Sequence, residues 1–225
     1  MKPKPGLILL ACLSFMVALA GAQEKAAFLD EILAFKKQDS VSSPPVHPIL
    51  FIGSSSFRLW NDMKESFPGY PVLNRAFGGS TLLDVFHYGK EIILPYKPKQ
   101  VVIYCGENDL ASSDTITPAV LLKRFELLFY FIRKHYPKVP IVFVSIKPSP
   151  SRRHLLPQML RANILVRNFL AKRSRTSFVD VYHKMLNPDG SPREELFVDD
   201  KLHMNAGGYT IWKKAITPHL LKNKN

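Results

Sequence analysis

Apolar residues along this chain gather in short unbroken runs instead of alternating with polar ones, and turn residues separate the runs. Five runs read as strands: Ile49 to Ile52, Tyr70 to Phe77, Gln100 to Cys105, Pro140 to Ile146 and Thr176 to Val181. Each is rich in β-branched or aromatic residues and too short for a buried helix. Longer stretches with helical spacing lie between them. Leu82 to Tyr96, Pro118 to Tyr136, Arg153 to Arg173 with a bend at Pro157, and Asn205 to Leu221 are the main ones, and Glu24 to Gln38 precedes the first strand. Thr117 is placed to cap the second of these, with Pro118 at its first position and Pro137 as its stop. Strands apolar on both faces and separated by helices predict a parallel sheet covered on both sides. With right-handed crossovers the expectation is an α/β fold: a three-layer α/β/α sandwich on a five-stranded parallel sheet, flavodoxin-like in type.

The first 22 residues follow a different pattern. Two lysines precede an apolar run from Leu7 to Ala20, and Ala20-Gly21-Ala22 ends it in small residues. This is the layout of a secretory signal cleaved after Ala22, too short for a retained span of roughly 20 apolar residues. A lipoprotein signal at Cys12 is disfavoured because the apolar run continues past it. The expected organisation is a signal peptide over 1–22 and a single domain over 23–225, secreted or periplasmic, with no stable membrane insertion afterwards. Cys105 is then the one cysteine left, so no disulfide framework is expected.

The chain has 225 residues with 46% hydrophobic content, enough for one sizeable core. Its formal net charge is +13, and loss of Lys2 and Lys4 with the leader leaves +11. Basic residues such as Arg152, Arg153, Arg161, Arg167 and Arg173 are spread along expected helices and read as solvated faces. No zinc pattern or RNA-binding aromatic pattern accompanies them, so no nucleic-acid partner is expected. No His/Cys cluster has ligand spacing either, so neither a metal nor another cofactor is expected.

Candidate chemistry collects where strands end. Gly53-Ser54-Ser55-Ser56 follows the first strand, Gly78-Gly79-Ser80 the second, and Gly106-Glu107-Asn108-Asp109 the third. Asp200-Lys201-Leu202-His203 precedes the last helix. Acyl transfer needs a hydroxyl nucleophile, a base, a group that orients the base, and donors for an oxyanion, and these segments supply each type. On its own Gly-Ser-Ser-Ser also reads as a polar turn with a helix cap. Asp-x-x-His occurs twice, since Asp180-Val181-Tyr182-His183 has the same spacing. His203 is preferred because it sits just before the final helix, where Asn205 looks like an N-cap; His183 is expected at the surface. Glu107 and Asp109 are expected to hold the third loop, and Arg58 and Trp60 to pack the first helix.

In this order and spacing the four blocks resemble the SGNH hydrolase (GDSL-type esterase/lipase) superfamily, from about Pro48 to Tyr209. Gly53-Ser54-Ser55 is similar to the family's Gly-Asp-Ser, which implies Ser55 as nucleophile. The resemblance implies His203 and Asp200 as its catalytic partners, and Gly79, Asn108 and the Ser55 N–H as the oxyanion hole. Ser54 stands where the family has Asp. Gly-Ser-Ser-Ser together with Lys147–Pro150 (KPSP) looks most like a bacterial branch. That branch is similar to platelet-activating-factor acetylhydrolase catalytic subunits and carbohydrate O-acetylesterases. The implied activity is a secreted serine ester hydrolase that removes short acyl groups, acetyl above all, from small-molecule or glycan esters. Lysophospholipid or other lipid esters are the alternative substrates, and a non-catalytic surface-binding module is the alternative class.

Overall fold

The computed structural model describes residues 28–222. The signal expected over residues 1–22 and the start of the first expected helix lie outside that range. The described residues divide into two compact units, one up to Ser43 and one from Pro44 onward. The described part of the first unit is helix α1, residues 28–41.

The second unit carries a five-stranded sheet in the order β2-β1-β3-β4-β5, parallel throughout. Its strands are β1 (Ile49–Gly53), β2 (Val72–Asn74), β3 (Gln100–Tyr104), β4 (Ile141–Val144) and β5 (Thr176–Val179). The central strands β1, β3 and β4 are buried along their whole length, which is why their sequences are apolar without alternation. Alternate residues still face opposite layers. Ile49, Phe51, Val102, Tyr104, Val142 and Val144 join a core cluster with Phe57, Trp60 and Trp212. On the other face Phe143 meets Phe125 edge-on at 5.0 Å, and Phe125 meets Phe169 at 5.8 Å.

The helices of this unit are α2 (Ser55–Arg58), α3 (Met63–Ser66), α4 (Leu82–His87), α5 (Gly89–Ile92), α6 (Glu107–Ser112), α7 (Pro118–His135), α8 (Leu156–Ala171) and α9 (Ala206–Ile216). Phe57 and Trp212 place α2 and α9 on the first face; Phe125 and Phe169 place α7 and α8 on the second. Thr117 caps α7 by accepting from the Val120 N–H, and Asn205 caps α9 by accepting from Gly207 and Gly208.

Four expectations need correcting. The expected helix Leu82–Tyr96 is broken into α4, α5 and a 3₁₀ turn at Leu94–Tyr96. Gly89 begins α5 at the break, where a Cβ would come 2.6 Å from the Phe131 ring of α7. Pro157 does not bend α8; it sits in its first turn, where its missing N–H costs nothing, after a 3₁₀ segment over Pro150–Leu155. The strand expected over Tyr70–Phe77 shortens to Val72–Asn74, although Arg75 and Phe77 still donate to the carbonyls of Phe51 and Gly53. Arg58, expected to pack the first helix, is exposed, whereas Trp60 is buried.

Sheet order reverses direction between β1 and β3: the chain moves from β1 outward to β2, then returns past β1 to β3. A crevice opens at such a switch point, outside the carboxyl ends of the strands. The loops after β1 and β3 therefore meet there.

Candidate active site

Gly53 pairs with Tyr104 of β3, at φ +130°, and a Cβ on it would lie 1.8 Å from the Tyr104 carbonyl oxygen. Only glycine fits, and it lets β1 turn directly into α2. Ser54 is held by its N–H on the Tyr104 carbonyl at 3.0 Å, in extended conformation. Of the three adjacent serines, Ser54 and Ser56 are 3% and 1% exposed, whereas Ser55 is only half-buried. Exposure thus separates residues that their type does not.

The loop before α9 brings in the histidine. His203 Nε2 lies 3.0 Å from Ser55 Oγ, and its Nδ1 lies 2.6 Å from Asp200 Oδ2. Ionised Asp200 only accepts, so Nδ1 carries the proton and Nε2 is left to accept from the serine hydroxyl. Asp200 Oδ1 also accepts from the N–H groups of Leu202 and His203, both at 2.8 Å. Burial would raise its pKa, but these N–H groups and the imidazole hold the carboxyl down at about 2. The second Asp-x-x-His makes the same local bond, Nδ1 of His183 to Asp180 Oδ2 at 2.6 Å. It is exposed, and among the described residues no serine hydroxyl reaches its Nε2.

Glycine and asparagine donors face the same region from two loops. The turn at Gly78–Gly79 is anchored by Ser80, buried completely, whose Oγ–H lies 3.0 Å from the Gly53 carbonyl and 3.1 Å from that of Phe77. Gly79 takes φ +74°, with no neighbour within 4 Å of a Cβ position. Asn108, in the first turn of α6, donates through Nδ2 to the Ser80 carbonyl at 3.1 Å. This bond ties the loop after β3 to the loop after β2. Among the described residues the N–H groups of Ser55 and Gly79 have no protein acceptor.

Two carboxylates brace this frame, as expected for Glu107 and Asp109. Asp109, fully buried, accepts from the Leu82 N–H at 2.9 Å and from Arg124 at 2.8 Å. Glu107 accepts from Lys147, Ser149 and the Tyr104 hydroxyl, all buried. Burial pushes the Glu107 pKa up, but Lys147 and Arg152 beside it bring it below the usual carboxylate range. Among the described residues no three His, Cys, Asp or Glu side chains are grouped as metal ligands.

Lys147 and Arg152 were given no role at the site by the sequence, and Ser80 only a place in the second block. Arg152 is not on a solvated face: its side chain is 19% exposed and its Nη2 donates to Asn108 Oδ1 at 3.0 Å. The buried lysine of Lys-Pro-Ser-Pro had a sequence signal in its position at the end of β4. The contacts of Ser80 and Arg152 with Asn108 had none, since they span 28 and 44 positions.

A hydroxyl bonded to an imidazole, the imidazole bonded to a carboxylate, and spare amide donors nearby form a set able to carry out acyl transfer. The family model described as GDSL-like lipase/acylhydrolase matches residues 52–211. No curated protein matches the chain by sequence. Among solved structures, a Streptococcus pneumonia protein with the provisional name platelet activating factor superposes with a TM-score of 0.76 at 18% identity, covering 92% of this chain and 99% of its own. A GDSL-like lipase from Bacteroides thetaiotaomicron gives 0.69 at 19% identity, covering 84% of this chain and 96% of its own. A variant of an acetyl-xylooligosaccharide esterase from Geobacillus Stearmophilus gives 0.60 at 17%, covering 78% and 94%. At these identities the structures attest the fold.

Proposed function

This chain belongs to the GDSL-like lipase/acylhydrolase family and is a carboxylic ester hydrolase, and from that premise we propose that Ser55, His203 and Asp200 carry the reaction. The observation that supports this reading most is the unbroken line from Ser55 Oγ through His203 to Asp200, at 3.0 Å and 2.6 Å.

His203 Nε2 removes the Ser55 proton as Oγ attacks the ester carbonyl. The carbonyl π pair moves to oxygen, and the N–H groups of Ser55, Gly79 and Asn108 receive the charge. The tetrahedral intermediate collapses with loss of the alcohol, which takes the proton from His203. Water then attacks the acyl-serine, gives its proton to His203, and releases the acid as Ser55 regains its hydrogen. Asp200 keeps the imidazole in the required tautomer and stabilises its cation without itself taking a proton.

The substrate proposed is a short-acyl ester, acetyl above all, on a carbohydrate. It is supported by the likeness in fold to an acetyl-xylooligosaccharide esterase, and by the proposed secretion of the chain after cleavage at Ala22. The net charge, +13 for the whole chain and +11 once Lys2 and Lys4 are lost, favours the lipid-ester alternative, because a basic surface attracts anionic head groups.

Turnover of acetyl esters, acetylated xylooligosaccharide and long-chain esters by the wild-type protein and Ser55→Ala tests both levels. The expected result is a higher kcat/KM for acetyl esters and a loss of at least ~10⁴-fold in the variant. A preference for long acyl chains overturns the carbohydrate reading, and an unchanged Ser55→Ala rate overturns the nucleophile.

A further inference from the structure

We propose that Arg152 is a positioning residue for ester hydrolysis, whose guanidinium orients and polarises the Asn108 amide so that one N–H remains for the oxyanion. The proposal rests on the reading of Asn108 as an oxyanion donor.

The partners of Asn108 define its orientation chemically. Oδ1 faces Arg152 Nη2 at 3.0 Å, and a guanidinium can only donate. Nδ2 faces the Ser80 carbonyl at 3.1 Å, and a carbonyl can only accept. A flipped amide would set oxygen against oxygen at Ser80 and N–H against N–H at Arg152. The two bonds together leave one hydrogen of Nδ2 without a protein acceptor. A cation on the amide oxygen also draws electron density from the nitrogen, making that remaining N–H a stronger donor. Without Arg152, Ser80 alone holds the amide, and its oxygen has no other protein donor among the described residues.

The fold places Arg152 there by local means. It lies in the 3₁₀ segment Pro150–Leu155, and its own φ/ψ of −116°, 30° departs from the helical values around it. Its N–H bonds the carbonyl of Ser149, whose hydroxyl is bonded to Glu107. The preceding residue, Ser151, donates its N–H to the carbonyl of Lys201 at 3.0 Å. Lys201 lies between Asp200 and His203 in left-handed conformation, at φ 54°. One short segment therefore clips the asparagine loop to the histidine loop.

Charge points the same way. Glu107 is the carboxylate facing both Lys147 and Arg152, with Arg152 Nη1 at 3.6 Å from Oε1. Two cations face that one carboxylate, so Arg152 keeps positive charge directed at the amide. Negative charge developing on the substrate oxygen would be attracted by it through Asn108, with no contact between Arg152 and the substrate.

A double-mutant cycle on a short acetyl ester tests this, using wild type, Arg152→Met, Asn108→Ala and the double variant. Arg152→Met is expected to lower kcat by roughly 10- to 100-fold with KM changing less than about 3-fold; Asn108→Ala costs more, about 10²- to 10³-fold. In the Asn108→Ala background, removing Arg152 should cost less than about 2-fold, because the group it acts through is gone. Arg152→Lys, which keeps a cation and a donor, should recover part of kcat, and it replaces Arg152→Met in the cycle if that variant does not fold. An unchanged kcat, an effect confined to KM, or the full loss repeated in the Asn108→Ala background overturns the proposal. A full-rate Asn108→Ala enzyme instead removes the oxyanion reading of Asn108 itself, and the role of Arg152 with it.

Discussion

Asp200 accepts three N–H bonds, from Leu202, from His203 and from the His203 ring, and that load keeps its carboxyl at about 2. A depressed carboxylate adds stability in full above its ordinary value of 3.8 and loses it as pH falls toward about 2. Asp200 therefore stays ionised between about pH 4 and about pH 8, and it adds no inflection to the rate profile in that window. Asp200→Asn is expected to lower kcat by about 10⁴-fold with no recovery at higher pH, since an amide would donate to Nδ1 and fix the wrong tautomer. A kcat profile of both proteins checks this; a variant that regains its rate in mild alkali contradicts the orienting role. At this scale residue types and spacing marked out the four blocks, and the family resemblance implied Ser55, Asn108, Asp200 and His203 within them. The sequence could not show that Ser54 and Ser56 are buried while Ser55 is only half-buried, because that depends on how β1 meets β3.

Strand elements were legible because full burial on both faces removes polar residues from β1, β3 and β4. The segments around the site were less so. α4 and α5 are separated where Gly89 approaches Phe131, a contact made by a residue far along the chain. The 3₁₀ segment before α8 is shaped by bonds to Glu107 and Lys201 instead of by its own propensity. Glu107 and Lys147, 4% and 1% exposed, join the end of β3 to the end of β4 through a buried ion pair. Lys147→Met leaves a buried carboxylate short of its closest cation and is expected to cost about 3–5 kcal/mol. Adding Glu107→Gln removes the stranded charge and should return part of that loss. Urea unfolding of the single and double variants checks it: equal destabilisation would mean that packing, not charge, dominates at this junction.

At the scale of the whole molecule, the alternation of apolar runs and helices already pointed to a parallel α/β/α sheet. Strand order was not visible, because it follows from which edges pair, and the switch point between β1 and β3 follows from that order. This reversal is what lets loops 50 to 150 residues apart in the sequence build one crevice, as the Ser55–His203 bond spans 148 positions. Secretion is a proposal about the whole chain. The N-terminal sequence of protein recovered outside the cytoplasm should begin at Gln23, and an N-terminus still carrying Lys2 and Lys4 would count against it.

Acylation of one hydroxyl is the claim beneath all of these. Reaction with a fluorophosphonate probe, followed by peptide mass spectrometry, reads it directly. We expect a single adduct on Ser55, absent in Ser55→Ala and greatly slowed in His203→Ala. An adduct on Ser54 or Ser56, or labelling indifferent to both substitutions, would contradict the account.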